Sequence, residues 1–162
     1  MIRRFKFERE VYETLDLVPI AVRRKLDQIG IKIGLRQWRA LGRGERLAIC
    51  HLPANLEEER DAMRLFLREA VKRATGGEPK LVPEAERDAA EPPAQPPASL
   101  IEHGRAAGFV LDETSWVKLD PDARYALMKM GAGNKISQNF SAALEEFLGA
   151  QGEAASVTPA KS

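Results

Sequence analysis

Cysteine, histidine and tryptophan are scarce in this chain. One cysteine, two histidines and two tryptophans occur among 162 residues. The single thiol, Cys50, excludes an intrachain disulfide and fits a reducing compartment. His51 and His103 lack the paired His/Cys/Asp spacing of a tetrahedral site, so no metal is expected. Cys50 and His51 are adjacent, and adjacent positions on a helix point apart. Charge of one sign is missing too. Lysine and arginine number 25 against 24 acids, a net +1, which disfavours a nucleic-acid protein that relies on a strong positive field. No apolar run approaches the ~20 residues of a membrane span, so no membrane partner is expected. Arg3-Arg4 is not followed by an apolar core of a secretory signal, and the cytoplasm is the expected compartment. Gly42-Arg43-Gly44 lacks the Lys-Ser/Thr of a phosphate-binding loop. Gly131-Ala132-Gly133-Asn134-Lys135 follows a helix rather than a strand. No catalytic residues and no cofactor are expected; the chain reads as a binding module, not an enzyme.

What is present is a pattern that occurs twice. Gly30-Ile31-Lys32-Ile33, Trp38, Leu41 and Arg46-Leu47-Ala48-Ile49 reappear without a gap as Gly108-Phe109-Val110-Leu111, Trp116, Leu119 and Arg124-Tyr125-Ala126-Leu127, 78 residues on. Both tryptophans fall at matching positions. The expected architecture is all-α, with two tandem related helical units. The first covers 1–77 and the second 98–149. A Pro/Ala-rich linker fills 78–97, and 150–162 reads as a disordered tail.

Local signals place the helices. Residues 3–8 alternate charged and apolar, as a short edge strand or an extended arm. A first helix is expected over 9–16, and a second from Pro19 to a stop at Gly30. Ile31 to Ile33 reads as an extended link, Leu35 to Leu41 as a turn of helix carrying Trp38, and 44–51 as a further helix. Asn55 is the expected cap of the longest helix, 56–75, with Glu57, Glu58 and Glu59 at its positive end and Lys72 and Arg73 at its negative end. In the second unit helices are expected over 98–107 and 121–130. Asp112 caps the Trp116 turn, Asp120-Pro121 starts the next helix, and Ser137 or Asn139 starts the last.

Gly30, Trp38, Arg46, Gly108, Trp116 and Arg124 define the pattern and read mainly as structural. The glycines permit left-handed turns. Each tryptophan anchors its unit. Each arginine stacks on its tryptophan or satisfies nearby carbonyls. Arg60, Arg64, Arg68 and Lys72 recur every four residues, and acids three residues earlier make a solvated charged face the expected reading. The denser cluster, Arg23-Arg24-Lys25 with Lys32, is the candidate partner-binding surface.

The string Val22-Arg23-Arg24-Lys25-Leu26-Asp27-Gln28-Ile29-Gly30-Ile31-Lys32-Ile33, with Trp38 and Glu45-Arg46 after it, resembles the nitrate reductase-associated proteins of cyanobacteria and other bacteria. Phe5-Lys6-Phe7-Glu8, Leu15 and Pro19 fit the same pattern, as do Trp116, Arg124 to Lys129, and Asn139-Phe140 through Glu146-Phe147. Leu17 departs from it, standing where members carry a cysteine. The resemblance implies a non-catalytic accessory or maturation factor for assimilatory molybdopterin-dependent nitrate reductase. It would act as adaptor or chaperone with the reductase catalytic subunit as partner, and an indirect contact with the molybdopterin cofactor stays open. A small helical regulator that binds nucleic acid is the alternative.

Overall fold

The computed structural model describes residues 3–84, 87 and 90–149; the expected tail, 150–162, lies outside them. The described residues are mostly helical. They fall into two units, one taking Glu8–Ala90 with the N-terminal tip through Arg4, the other Phe5–Phe7 with the chain from Glu91 onward.

In the first unit, α1 (Arg9–Thr14), α2 (Ile20–Ile29), α3 (Leu35–Ala40), α4 (Arg43–His51) and α5 (Glu57–Thr75) follow in order. α5 packs against α2, α3 and α4. Its stripe of Met63, Leu67, Ala70 and Val71 meets Val22, Leu26, Ile29, Trp38, Ile49 and Cys50 in one buried core. Burying side chains of this size stabilises by roughly 1.5–3 kcal/mol each before entropy is counted. The extended link proves to be a strand. β1 (Ile31–Lys32) pairs antiparallel with β2 (Lys80–Leu81), in the register Ile31↔Leu81 and Lys32↔Lys80. The fold is therefore helical with one small ribbon, not purely α.

The second unit holds α6 (Ala98–Ala106), α7 (Glu113–Lys118) and α8 (Pro121–Gly131), and a last helix, α9, over 140–149. α6 packs on α8. A Cβ at Gly131 would stand 2.1 Å from the Phe140 ring, so only glycine lets that ring close on the end of α8. Phe5 and Phe7 stack with centroids 5.3 Å apart and meet Phe147 edge-on. The Phe7 N–H donates to Glu146 Oε1 at 3.1 Å. Residues 3–8 are thus no strand: Lys6–Glu8 is a 3₁₀ turn, because both aromatic side chains turn to one cluster instead of alternating.

Two helix starts differ from expectation. Pro19 is the cap of α2 rather than part of its first turn, and the Ile20 N–H donates to Glu8 Oε2 at 2.9 Å. α5 begins at Glu57, and its start is closed by Glu59. That carboxylate accepts from the Asn55 and Leu56 N–H groups at 2.8 and 3.0 Å. The Asn55 side chain is not the cap.

Candidate functional site

The residues that define the sequence pattern are anchored alike in the two units, each considered by itself. α2, α3 and α4 start at 20, 35 and 43; α6, α7 and α8 start at 98, 113 and 121, each 78 residues later. Gly30 and Gly108 both take left-handed backbone, with φ of 72° and 91°. Trp38 Nε1–H donates to the Leu15 carbonyl at 2.7 Å, and Trp116 Nε1–H to the Pro93 carbonyl at 2.9 Å. Leu15 and Pro93 are themselves 78 apart. Both indoles are fully buried, so these N–H groups need their acceptors.

The arginines do the work of fastening turns. Arg46 donates to the carbonyls of Leu41, Leu15 and Arg39 at 3.0, 3.1 and 3.0 Å. Arg124 donates to Trp116 and Val117 carbonyls at 3.0 and 3.1 Å. Its guanidinium also lies 5.9 Å from the Trp116 ring centroid. In the first unit the segment 13–16 is held further by Arg43, which bonds the Glu13 and Thr14 carbonyls, and by Arg39, which bonds that of Asp16. With the Leu15 carbonyl held by Arg46, these span the last two residues of α1 and the two after it, where Leu15 adopts φ 55°, the one left-handed non-glycine residue among those described. A leucine there costs about 1–2 kcal/mol, and the surrounding arginines offset it.

The candidate binding cluster is largely turned to the same task. Lys25 Nζ donates to the carbonyls of Ile49, Cys50 and Leu52 at 2.6, 3.2 and 2.7 Å. It closes the negative end of α4, as a cation does at a helix C-terminus. At the matching place His103 Nδ1 lies 2.6 Å from the Gly131 carbonyl, at the end of α8. Arg24 Nε donates to the Ala90 carbonyl and Arg23 Nε to that of Val18. Arg23 and Lys32 are exposed, while Arg24 and Lys25 are half-buried.

The basic ridge of α5 is solvated at Arg68 and Lys72, half-buried at Arg60 and Arg64, and carries the expected pairs with acids three residues earlier, Glu57–Arg60 and Asp61–Arg64. Arg60 and Arg64 donate to the carbonyls of Ala54 and Ile29. Arg64 pairs with Asp61 and Glu57, Arg60 with Glu57, and Arg68 with Glu78. Cys50 is a core thiol, and burial pushes its pKa up against the opposing pull of Lys25 and Arg4; a thiol so placed is a poor nucleophile. Among the described residues no three His, Cys, Asp or Glu side chains are placed to hold a metal ion, and no helix is long and apolar enough to cross a membrane.

The chain matches the family described as conserved nitrate reductase-associated protein over residues 4–147, and it belongs to that family. No curated protein and no solved structure matches it.

Proposed function

We propose that this protein is a non-catalytic accessory factor needed to produce active assimilatory molybdopterin-dependent nitrate reductase, acting in the cytoplasm as an adaptor or chaperone for the immature enzyme. The observation that carries this reading is the family match across 4–147, which takes in both units. The polar chemistry agrees with it. Arg23, Arg24, Lys25, Arg46 and Arg124 all donate to main-chain carbonyls. Such residues build a scaffold that presents a surface; they do not converge on a reacting atom. The shared offset of 78 between element starts supports reading the units as two copies of one helical motif, with part of 78–97 as the join.

The partner surface proposed from Arg23, Arg24, Lys25 and Lys32 narrows to its exposed members, Arg23 and Lys32. Lys25 cannot be reversed in charge without placing a carboxylate among three carbonyls.

Deleting the gene in its host tests the reading. Growth on nitrate should fail while growth on nitrite or ammonium continues, with reductase polypeptide present but inactive. Normal nitrate growth with full reductase activity would overturn the accessory role.

A further inference from the structure

The sequence string that carries the family resemblance contains four cations, and the structure accounts for three of them. Arg23, Arg24 and Lys25 each donate to a main-chain carbonyl. Lys32 has no such role. It stands on β1 directly opposite Lys80 on β2, and both side chains are exposed. Residues paired across antiparallel strands have Cβ atoms roughly 4.5–5.5 Å apart, and like charges so placed repel.

A third cation, from beyond the end of β2, reaches back to the ribbon. The pairing continues one step past β1, where the Val82 N–H donates to the Gly30 carbonyl at 2.8 Å. Arg87 Nε donates to the Val82 carbonyl at 3.0 Å. Its guanidinium lies against Gly30, so that a Cβ there would fall 2.1 Å from Nε. Among the described residues none of these three cations has a carboxylate partner. The arginines of α5 differ: Arg60, Arg64, Arg68 and Arg73 are all ion-paired.

We infer that the exposed Lys32–Lys80 pair of the β1–β2 ribbon, with the Arg87 guanidinium beside its Gly30 end, binds an acidic segment of a partner protein, whose carboxylates pair with the two lysines. The proposal rests on the accessory-factor reading for the partner's being a protein. The site's own chemistry favours the same class. A lone phosphoryl group is best held by donors that converge on it, whether backbone N–H groups or a bidentate arginine. Here the donors are long side chains spread along an exposed ribbon, as in a charge-complementary protein contact.

The test measures fluorescence anisotropy of labelled hexaglutamate against the full chain at low salt, with thermal unfolding of each variant. The wild-type chain should bind saturably. Lys32→Glu should weaken binding by about tenfold or more, while its Tm holds or rises, because the new carboxylate faces Lys80. Lys135→Glu, the same charge change at an exposed loop position of the second unit, should bind within about threefold of wild type. No binding by the wild-type chain would overturn the proposal. So would equal losses in the two variants, which would trace binding to net charge. Displacement of the peptide by inorganic phosphate below the concentration at which sodium chloride of equal ionic strength displaces it would assign the face to a phosphoryl ligand, and would overturn it as well. None of these measurements involves nitrate reductase. A failed deletion experiment therefore leaves their result standing, and a failed peptide experiment leaves the accessory role standing.

Discussion

The helices that carry Trp38 and Trp116 start from the same backbone turn, closed by different side chains. At Gly34 the cap has no side chain, and Gln37 Oε1 reaches back to accept from the Gly34 N–H at 3.1 Å. At Asp112 the carboxylate accepts from the Ser115 N–H at 2.8 Å, and Ser115 Oγ accepts from the Asp112 N–H at 2.9 Å. The next helix repeats the contrast. Glu45 closes the turn at Gly42 from inside the helix, and Asp120 closes its own start by accepting from the Ala123 N–H. An orphan N–H needs an acceptor, and whether cap or third helical residue supplies it is secondary. The ends of α4 and α8 show the same freedom, with Lys25 in one unit and His103 in the other. What matches is the polar group to be satisfied, not the residue that satisfies it.

The buried indoles are where the two units should behave most alike, and their removal should have the largest effect. Trp38→Ala and Trp116→Ala are each expected to cost about 3–5 kcal/mol, read as urea midpoints. The conservative Trp→Phe pair sharpens the test. The Leu15 carbonyl keeps the Arg46 donor after Trp38→Phe, whereas Trp116→Phe removes the donor recorded for Pro93. The caps come next. Lys25→Met removes a charged donor from three carbonyls and should cost about 2–3 kcal/mol, whereas His103→Leu removes one bond and should cost about 1 kcal/mol. Equal losses would break the claim that both close a helix in proportion to their donors.

The left-handed glycines come below these. Gly108→Ala meets no atom within 4 Å and should cost about 1 kcal/mol for backbone strain alone. Gly30→Ala carries the same strain and must also displace the Arg87 guanidinium, so it should cost more. Adding Arg87→Ala should bring it back toward the Gly108→Ala value. A Gly30→Ala loss no larger than that of Gly108→Ala would show that the Arg87 contact contributes nothing.

How much of this was legible follows from how local each signal is. Gly30, Trp38, Asp112 and Asp120-Pro121 are read correctly because a stop, a buried indole and a cap are decided within a few residues. Lys25 reads as part of a surface cluster because its acceptors lie more than 20 residues away in the chain, at Ile49, Cys50 and Leu52. The β1–β2 pair is invisible for the same reason, and two-residue strands are too short to show alternation. Phe5 and Phe7 read as an alternating arm because Phe147, the side chain they pack on, is far along the sequence. Proline density suggests a partly extended linker, since proline cannot donate and interrupts helix and sheet. Its carbonyl still accepts, as that of Pro93 does for Trp116. Of the proposed surface, composition finds the cations, and only tertiary structure tells which already hold carbonyls.

The smallest expected effect is also the one that separates the units most cleanly, because only one of them has a titrating cap at this turn. The Ser115 backbone N–H, then its hydroxyl, bond the Asp112 carboxyl and hold its pKa below the usual carboxylate value. Through that window the unfolded chain binds more protons than the folded one, so stability rises with pH. The contribution is fully present above about pH 3.9, the ordinary aspartate value, and is lost as pH falls through the lowered one. Asp112 is exposed, so the change should be modest and screened by salt. Hydrogen exchange at the Ser115 amide should therefore accelerate on acidification in wild type, and the pH-dependent part should vanish in Asp112→Asn. The matching amide at Gln37, beside a glycine cap, should lose protection only as the whole unit does. If both amides lost protection together at the same pH, Asp112 would not be titrating as a local cap, and the two helix starts would be energetically alike despite their different chemistry.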